Sequence, residues 1–378
     1  MMIVNPLICL VDAPADSDHP GAVLDVLARA SAMESEVWFE RLGHRDFTEP
    51  AEAALRWLDN QTWVRKRRLV ALVGEVSGLV DGPEGLPMVV EATDLGSSRV
   101  IAACGLNNSR NENPHLLGEV ELAVDAQWRR RGVGSAMLAA LRQVAGAWGA
   151  TTIQGWASYA GLPDGEVLMP AEGPFGVPAG DGTTAFLQHH GFSLAQTERH
   201  SVQPLSKLGE LAPVTTPQGY ELVVWRDHMD PALAAGIADL TTAFEASIPM
   251  GELDNVPEVY TAERILAGDV TQHAHSQTVN VVARDVASGV LVARTQLGKY
   301  RHLHEAAWQG VTVVLPGHRG HGLGRTIKLA AMHEARAAWP RVARVHTWNA
   351  GENDRMWTIN ESLGYRTEGI SAAWQKRL

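Results

Sequence analysis

The sequence predicts an α/β chain made of two copies of one domain in tandem, and three observations carry that prediction. Its 378 residues exceed the usual size of a single hydrophobic core. A strand, a glycine loop and a helix follow one another twice, the loop reading Arg-x-x-Gly-x-Gly each time. Arg129, Gly132 and Gly134 recur as Arg319, Gly322 and Gly324, each 190 positions further on. Each copy also closes on Gly-Phe or Gly-Tyr, at Gly191 and Gly364, which lie 173 positions apart. Repetition at this distance marks a duplicated domain rather than a short-period solenoid.

In the first copy, residues 7–11 read as a strand, followed by helical patterns over 22–33 and 51–63. Apolar runs of strand length follow at 69–73, 100–106 and 119–124, the last entering the first loop. Leu138, Leu141, Ala145 and Trp148 then share one face of a helix that stops near Gly149. Residues 152–157 predict a strand and 186–190 the end of a short helix. Between them, residues 161–182 hold six glycines and four prolines, the composition of an inserted loop, either surface decoration or a lid over a cleft.

Pro213, Pro217 and weak apolar periodicity mark a linker, which divides the chain into residues 1–207, a linker 208–219 and residues 220–378. The second copy repeats the order: a strand at 221–225, a helix at 232–244, and strands at 279–283, 291–296 and 310–314. After the second loop, Ile327, Ala330, Ala331 and Ala335 line one helix face, and 345–348 reads as a strand.

Composition narrows the function classes. With 45% hydrophobic and 20% charged residues the chain is globular, and a net charge of −11 argues against a broad nucleic-acid surface while tolerating a cationic substrate such as an amine. Only Cys9 and Cys104 occur, without a Cys-x-x-Cys pair, so neither a disulfide framework nor a zinc site is expected, and a reducing cytoplasm fits. The apolar run 3–11 is too short to span a bilayer and lacks the basic start of a secretory signal, so no membrane partner is expected. The His189-His190, His273/His275, His302/His304 and His318/His321 pairs lack carboxylates or cysteines at ligand spacing, so no metal is expected. The 12 tryptophans are scattered, as in cores and cleft walls rather than base-stacking platforms.

The loops carry the chemistry. Glycines let a ligand approach the backbone closely, and free amides at the start of the next helix point at an anion. Diphosphate is the expected guest of Arg129, Arg130, Arg131, Gly132, Val133, Gly134 and Ser135, and of Arg319, Gly320, His321, Gly322, Leu323, Gly324 and Arg325. Neither loop has the Lys-Ser/Thr of a triphosphatase loop or the Gly-x-Gly-x-x-Gly of a dinucleotide site.

With these motifs in both halves the chain resembles the GCN5-related N-acetyltransferases, in a tandem layout. The resemblance implies two domains, each a mixed, mostly antiparallel sheet flanked by helices, with acetyl-coenzyme A as co-substrate. It implies that the loop amides hold the pyrophosphate and that the strands 119–124 and 310–314, through Val124 and Val313, align the pantetheine arm. It also implies that Asn349 and Asn353, in Thr347-Trp348-Asn349-Ala350 and the helix start that follows, contact the coenzyme. On Asn353 the second half is the expected coenzyme binder, although the first half holds the better base candidates.

Transfer to an amine needs a base, because an alkyl ammonium has a pKa near ~10. Glu119 and Glu121, two apart on a strand and so on one face, are the first candidates, with solvated strand residues or partners for nearby arginines as the alternative. The second half has Gln309 and Val311 there, leaving Glu305, Glu245, Glu252 and Asp254, of which Glu245 leads; the last three could instead bind a cationic acceptor. The tyrosine that many family members place four residues before the closing glycine is replaced by Leu187 and Asn360. A thiol of pKa about 8.5 leaves as thiolate at pH 7 for only about 2 kcal/mol, so catalysis without it is reasonable. The expected activity is acetyl transfer to a small primary amine by direct attack in a ternary complex. The alternatives are an acyl-coenzyme-A sensor or scaffold without turnover, or transfer of a larger acyl group or to a protein amine.

Overall fold

The computed structural model describes residues 5–13, 21–210 and 213–378. In chain order the first copy contains β1 (Leu7–Val11), α1 (Gly21–Leu42), α2 (Ala51–Asp59), β2 (Val64–Val73), β3 (Val80–Asp81), β4 (Pro87–Val89), β5 (Arg99–Ser109), β6 (Leu116–Val120) and β7 (Ala123–Val124). It continues with α3 (Val133–Trp148), β8 (Thr152–Ala160), β9 (Val167–Leu168), β10 (Val177–Pro178), α4 (Gly182–His189) and β11 (Ser193–Pro204). The second contains β12 (Tyr220–Arg226), α5 (Ala234–Glu245), α6 (Ala262–His273), β13 (Ser276–Asp285), β14 (Leu291–Tyr300), β15 (Ala306–Val314), α7 (Leu323–Ala338), β16 (Arg344–Ala350), α8 (Asp354–Ser362) and β17 (Arg366–Arg377).

The sheet is mixed and mostly antiparallel, as the resemblance implies, but it is one sheet rather than two. Its order is β12-β13-β14-β15-β16-β11-β17-β8-β6-β5-β2-β1-β4-β3, with β7 paired to β5. The closing strands are exchanged. β11 pairs antiparallel with β16 and β17 of the second copy, and β17 pairs with β8 of the first, from Gly369↔Ala160 to Arg377↔Thr152. The second copy therefore reaches the site of the first through two strands.

Helices cover both faces of each copy. Leu138, Leu141, Val144 and Ala145 bury the inner face of α3 against β2, β5 and β8, while α1 and α2 close the opposite face through Val26, Leu27, Ala30 and Leu58. In the second copy Ile327, Ala331, Met332 and Ala335 of α7 and Ile237, Ala238 and Leu240 of α5 do the same. Leu208, the first residue of the segment read as linker, and Leu205 just before it lie in a 3-10 turn and pack into the second core. Among the described residues no helix is long and apolar enough to cross a membrane.

Several expected bounds shift. The helix read at 22–33 runs to Leu42, the one read at 51–63 ends at Asp59, and α6 was not foreseen. The glycine-rich insertion forms the short hairpin β9–β10, with Val177↔Leu168 paired. It packs on the exchanged strand, where Thr197 Oγ1 donates to Phe175 O at 2.9 Å and the Arg199 guanidinium lies between Phe175 and Trp357.

A buried polar spine locks the copies together. Arg344 of β16 grips both oxygens of Asp46 at 2.5 Å each, and His346 Nε2 donates to Asp46 Oδ2 at 2.9 Å. His346 Nδ1 faces His200 Nε2 of β11 at 3.0 Å. Burial alone would raise the Asp46 carboxyl, but bonds from His346 and Arg344 hold it well below the usual range. His44, Asp46 and His346 hold three donor atoms within 4.8 Å, and His228, Asp269 and His273 do likewise; of the histidine pairs read from the sequence, only His273 gains a carboxylate in such a group among the described residues. At Asp46 the guanidinium supplies the positive charge a metal would. Asp46→Ala should cost about 3 kcal/mol by leaving buried cationic and polar groups unpaired, read from urea unfolding near pH 7. Because the carboxyl is depressed when folded, this contribution is present above about pH 4 and is lost on acidification.

Candidate active site

The first loop is built as an anion cradle. Arg130 has φ 61° and Gly132 φ 88°, so left-handed residues alternate with ordinary ones and turn successive amides inward, ahead of the first turn of α3. The second loop has the same shape, with Gly320 at φ 87° where the first has Arg130, and Gly322 at φ 77°. Arg130 thus bears strain its counterpart avoids. Arg130→Gly should stabilise the fold by about 1 kcal/mol while weakening anion binding through loss of the cation, separable by thermal unfolding and equilibrium binding.

The motif arginines hold the loop in place. Arg129 Nε donates to Val124 O at 2.9 Å and its guanidinium pairs with Glu40, while Arg319 Nε donates to Val314 O at 3.0 Å. Val133 and Leu323 are buried, so each can offer a ligand only its backbone. Arg131 stands over Trp128, and Ser135 Oγ meets His190 Nε2 at 3.1 Å. A Cβ at Gly134 would come within 3.1 Å of the Phe186 ring, which explains that glycine by helix packing.

From this loop a cavity of about 840 Å³ runs between the strands. β6 and β8 pair in parallel through Val120↔Gly155, and then Leu122–Val124 and Trp156–Ser158 line the opening gap. At the fork a Cβ on Gly155 would sit 2.6 Å from Val120 O, so only glycine lets the strands meet there. The cradle and the slot fit an acyl-coenzyme A.

The strand read at 119–124 is broken by a bulge. Glu119 takes φ 52°, and β5 pairs Asn107↔Gly118 and then Ala103↔Ala123, one residue more on the bulged side. Glu119 and Glu121 consequently do not sit as simple alternate strand residues. Glu119 Oε2 accepts from Asn107 Nδ2 at 2.5 Å and faces a second cavity of about 360 Å³. Glu121 lines both cavities, as do Glu34, Trp38 and Ser158. The Glu121 side chain is exposed to solvent within these cavities, with many protein atoms crowded around it. Burial, then the carboxylates Glu119, Glu34 and Glu49, push it up to about 7 against the pull of Arg68.

The second cavity is walled by Trp38, Phe47, Trp57 and Trp348, with Glu49, Arg68 and Ser371 between them. Arg68 pairs with Glu34 and stands 3.7 Å from Glu49. Of these only Trp348 lies in a motif read from the sequence, where the residue singled out was its neighbour Asn349. The available signal is on α1, where Glu34, Val37, Trp38 and Arg41 share a helix face that lines the first cavity. Trp348 and Ser371 come from the second copy, on β16 and the exchanged β17.

The second copy differs at the matching slot. Ala157 and Leu187 both line the first cavity, and their counterparts are Asn349 and Asn360. Asn360 is fully buried, and its Nδ2 donates to Asn349 Oδ1 at 2.5 Å. Leu363 and Tyr365, in the places of the cavity-lining His190 and Phe192, are packed into the core, and Lys328 replaces Leu138. Burial lowers the Lys328 ammonium to about 7. Val313 is buried against α5. The Asn353 side chain caps α8, accepting from Met356 N at 3.2 Å. Glu245 ends α5, where burial and Glu258 raise its carboxyl and Arg264 opposes them; it is among neither cavity's lining residues.

Comparisons with known proteins agree with this architecture. Residues 39–160 match the model of the acetyltransferase (GNAT) family. A tandem GNAT protein from the clavulanic acid biosynthesis pathway superposes with TM-score 0.69 at 22% identity, covering 98% of each chain. A GCN5-related N-acetyltransferase from Sphaerobacter thermophilus gives TM-score 0.59 at 14% identity, over 99% of this chain and 96% of that one. The N-myristoyltransferase of Saccharomyces cerevisiae, solved with myristoyl-CoA, gives 0.55 at 10% identity over 100% of this chain and 80% of its own. No curated protein sequence matches the chain.

Proposed function

We propose that this chain is a tandem GNAT acyltransferase, a reading supported by the family match over residues 39–160, and that its first half transfers an acetyl group from acetyl-coenzyme A to a small primary amine. The observation that carries this is Glu121, a carboxylate poised near neutral pH where a coenzyme-sized slot meets a second, acid-lined cavity. A base works best when its pKa lies near the working pH. Acetyl-coenzyme A would supply the thioester acyl group.

The chain's own groups then divide the work. Amides of the 129–135 loop and the start of α3, with Arg130, hold the diphosphate. The bulged strand end at 120–124 orients the pantetheine arm along the slot. Glu121 takes the ammonium proton, which frees the amine for direct attack, and Ser158 lies beside it at the junction. No dedicated acid is required at Leu187, since the thiolate leaves cheaply near neutral pH.

On this reading the second copy is the supporting half, opposite to the expectation drawn from Asn353. Its slot is bridged by the Asn349–Asn360 bond, and it lends Trp348 and Ser371 to the first site. Thiol release and product mass, followed with acetyl-coenzyme A across a panel of small primary amines, test the proposal. Coenzyme binding without release of thiol for any amine would instead make the chain a sensor.

A further inference from the structure

We infer that the acceptor carries two cationic centres, one presented to Glu121 and the other held in the second cavity beside the Trp348 and Phe47 rings and Glu49. This rests on the reading that the second cavity receives the acceptor, and it adds what kind of amine fits there. Four carboxylates line that cavity, Glu34, Glu49, Glu119 and Glu121, and only Arg68 among its lining residues is cationic. Lys66 lies behind the wall, its Nζ donating to Trp57 O at 3.1 Å and standing 5.3 Å from the Trp57 ring. Four carboxylates face two cations, so the pocket when fully ionised carries two negative charges in surplus, one more than a simple monoamine would balance, and a second cationic centre would favour that ionised state.

The aromatic walls point the same way. Trp348 is a fixed surface: its indole stacks on His200 at 4.9 Å and 11° and meets Phe47 at 5.4 Å. His200 is held by the hydrogen bond to His346, and burial first, then His346 and His44, lower it to about 3, so a neutral ring backs the indole. An aromatic face with carboxylates beside it and no competing cation behind it attracts an alkylammonium through the ring quadrupole. Trp348 belongs to the second copy, so the exchanged architecture makes that copy a specificity wall for the first.

The test is calorimetric and needs no turnover. The full chain loaded with coenzyme A is titrated with n-alkylamines, α,ω-diamines and ω-aminoalkyl-trimethylammonium ions of three to six carbons. The best diamine and the best permanent dication should each bind at least ~10-fold tighter than the matched monoamine. Binding should release protons from the carboxyl cluster, seen as a dependence of the heat on the buffer. Trp348→Leu and Glu49→Gln, each checked for folding, should both shrink the dication preference. Equal affinities for monoamine and dication overturn the inference, as does a preference that survives both substitutions. Equal acetylation of both classes with equal affinity leaves the transfer reading standing and removes this one. Tight, Trp348-dependent dication binding without acetylation does the reverse.

Discussion

Glu121→Gln should lower kcat/KM by about 10²- to 10⁴-fold, the range for loss of a positioned general base. The wild-type kcat/KM should rise through about pH 7 and level off above it, because the base is competent only when ionised and Glu121 is pushed up to about 7. The acceptor ammonium, with a pKa near ~10, stays charged throughout that window, so the limb reports the enzyme. The variant should lose the limb. Its stability should move the other way. A carboxyl whose pKa is raised by folding binds its proton more tightly when folded, so it costs stability as pH climbs from its ordinary 4.5 through about 7. Glu121→Gln should therefore unfold at higher urea than wild type at pH 8 and match it near pH 4. A variant inactive at pH 8 and also less stable there would indicate a packing role instead.

The duplication and the loops were legible because each is a local pattern. Glycine at 132 and 322 is demanded by a left-handed turn, and Leu138, Leu141 and Ala145 show their helix by spacing alone. The exchange of β11 and β17 was not legible, since both are twelve-residue strands of mixed polar and apolar composition and nothing local decides which neighbour each pairs with. The bulge was hidden for a related reason. Glu119 sits at φ 52°, a conformation its residue type does not advertise. Asn353 and Asn349 were visible as motif residues, yet their roles depended on partners: Asn353 caps α8, and Asn349 meets an asparagine in the place of the family's tyrosine. The acceptor cavity was the least legible part, because Trp38, Phe47, Trp57, Trp348 and Ser371 come from five separated segments.

The two loops have the same shape, so charge placed in each should show whether they do the same work. Gly132→Asp should abolish binding of acetyl-coenzyme A, and Gly322→Asp should leave one coenzyme bound per chain. Both glycines take left-handed φ, 88° and 77°, so both substitutions strain the backbone comparably, by about 1–2 kcal/mol. Any difference between them then reports ligand rather than fold. In the first copy the new carboxylate would sit where Arg130 and the α3 amides favour diphosphate, and repulsion at ~4 Å with an effective dielectric near 20 is about 4 kcal/mol per charge pair. That is ample to move a micromolar affinity out of reach. In the second copy the residues that match the slot lining are engaged within the protein, Asn360 bonded to Asn349 at 2.5 Å and Leu363 and Tyr365 packed into the core, and on this ground the pantetheine arm is expected in the first copy alone. Titration calorimetry reads the stoichiometry directly. Two coenzymes per wild-type chain, or loss of turnover in Gly322→Asp with normal folding, would return the catalytic role to the second copy and leave Glu121 as a charge in the acceptor pocket.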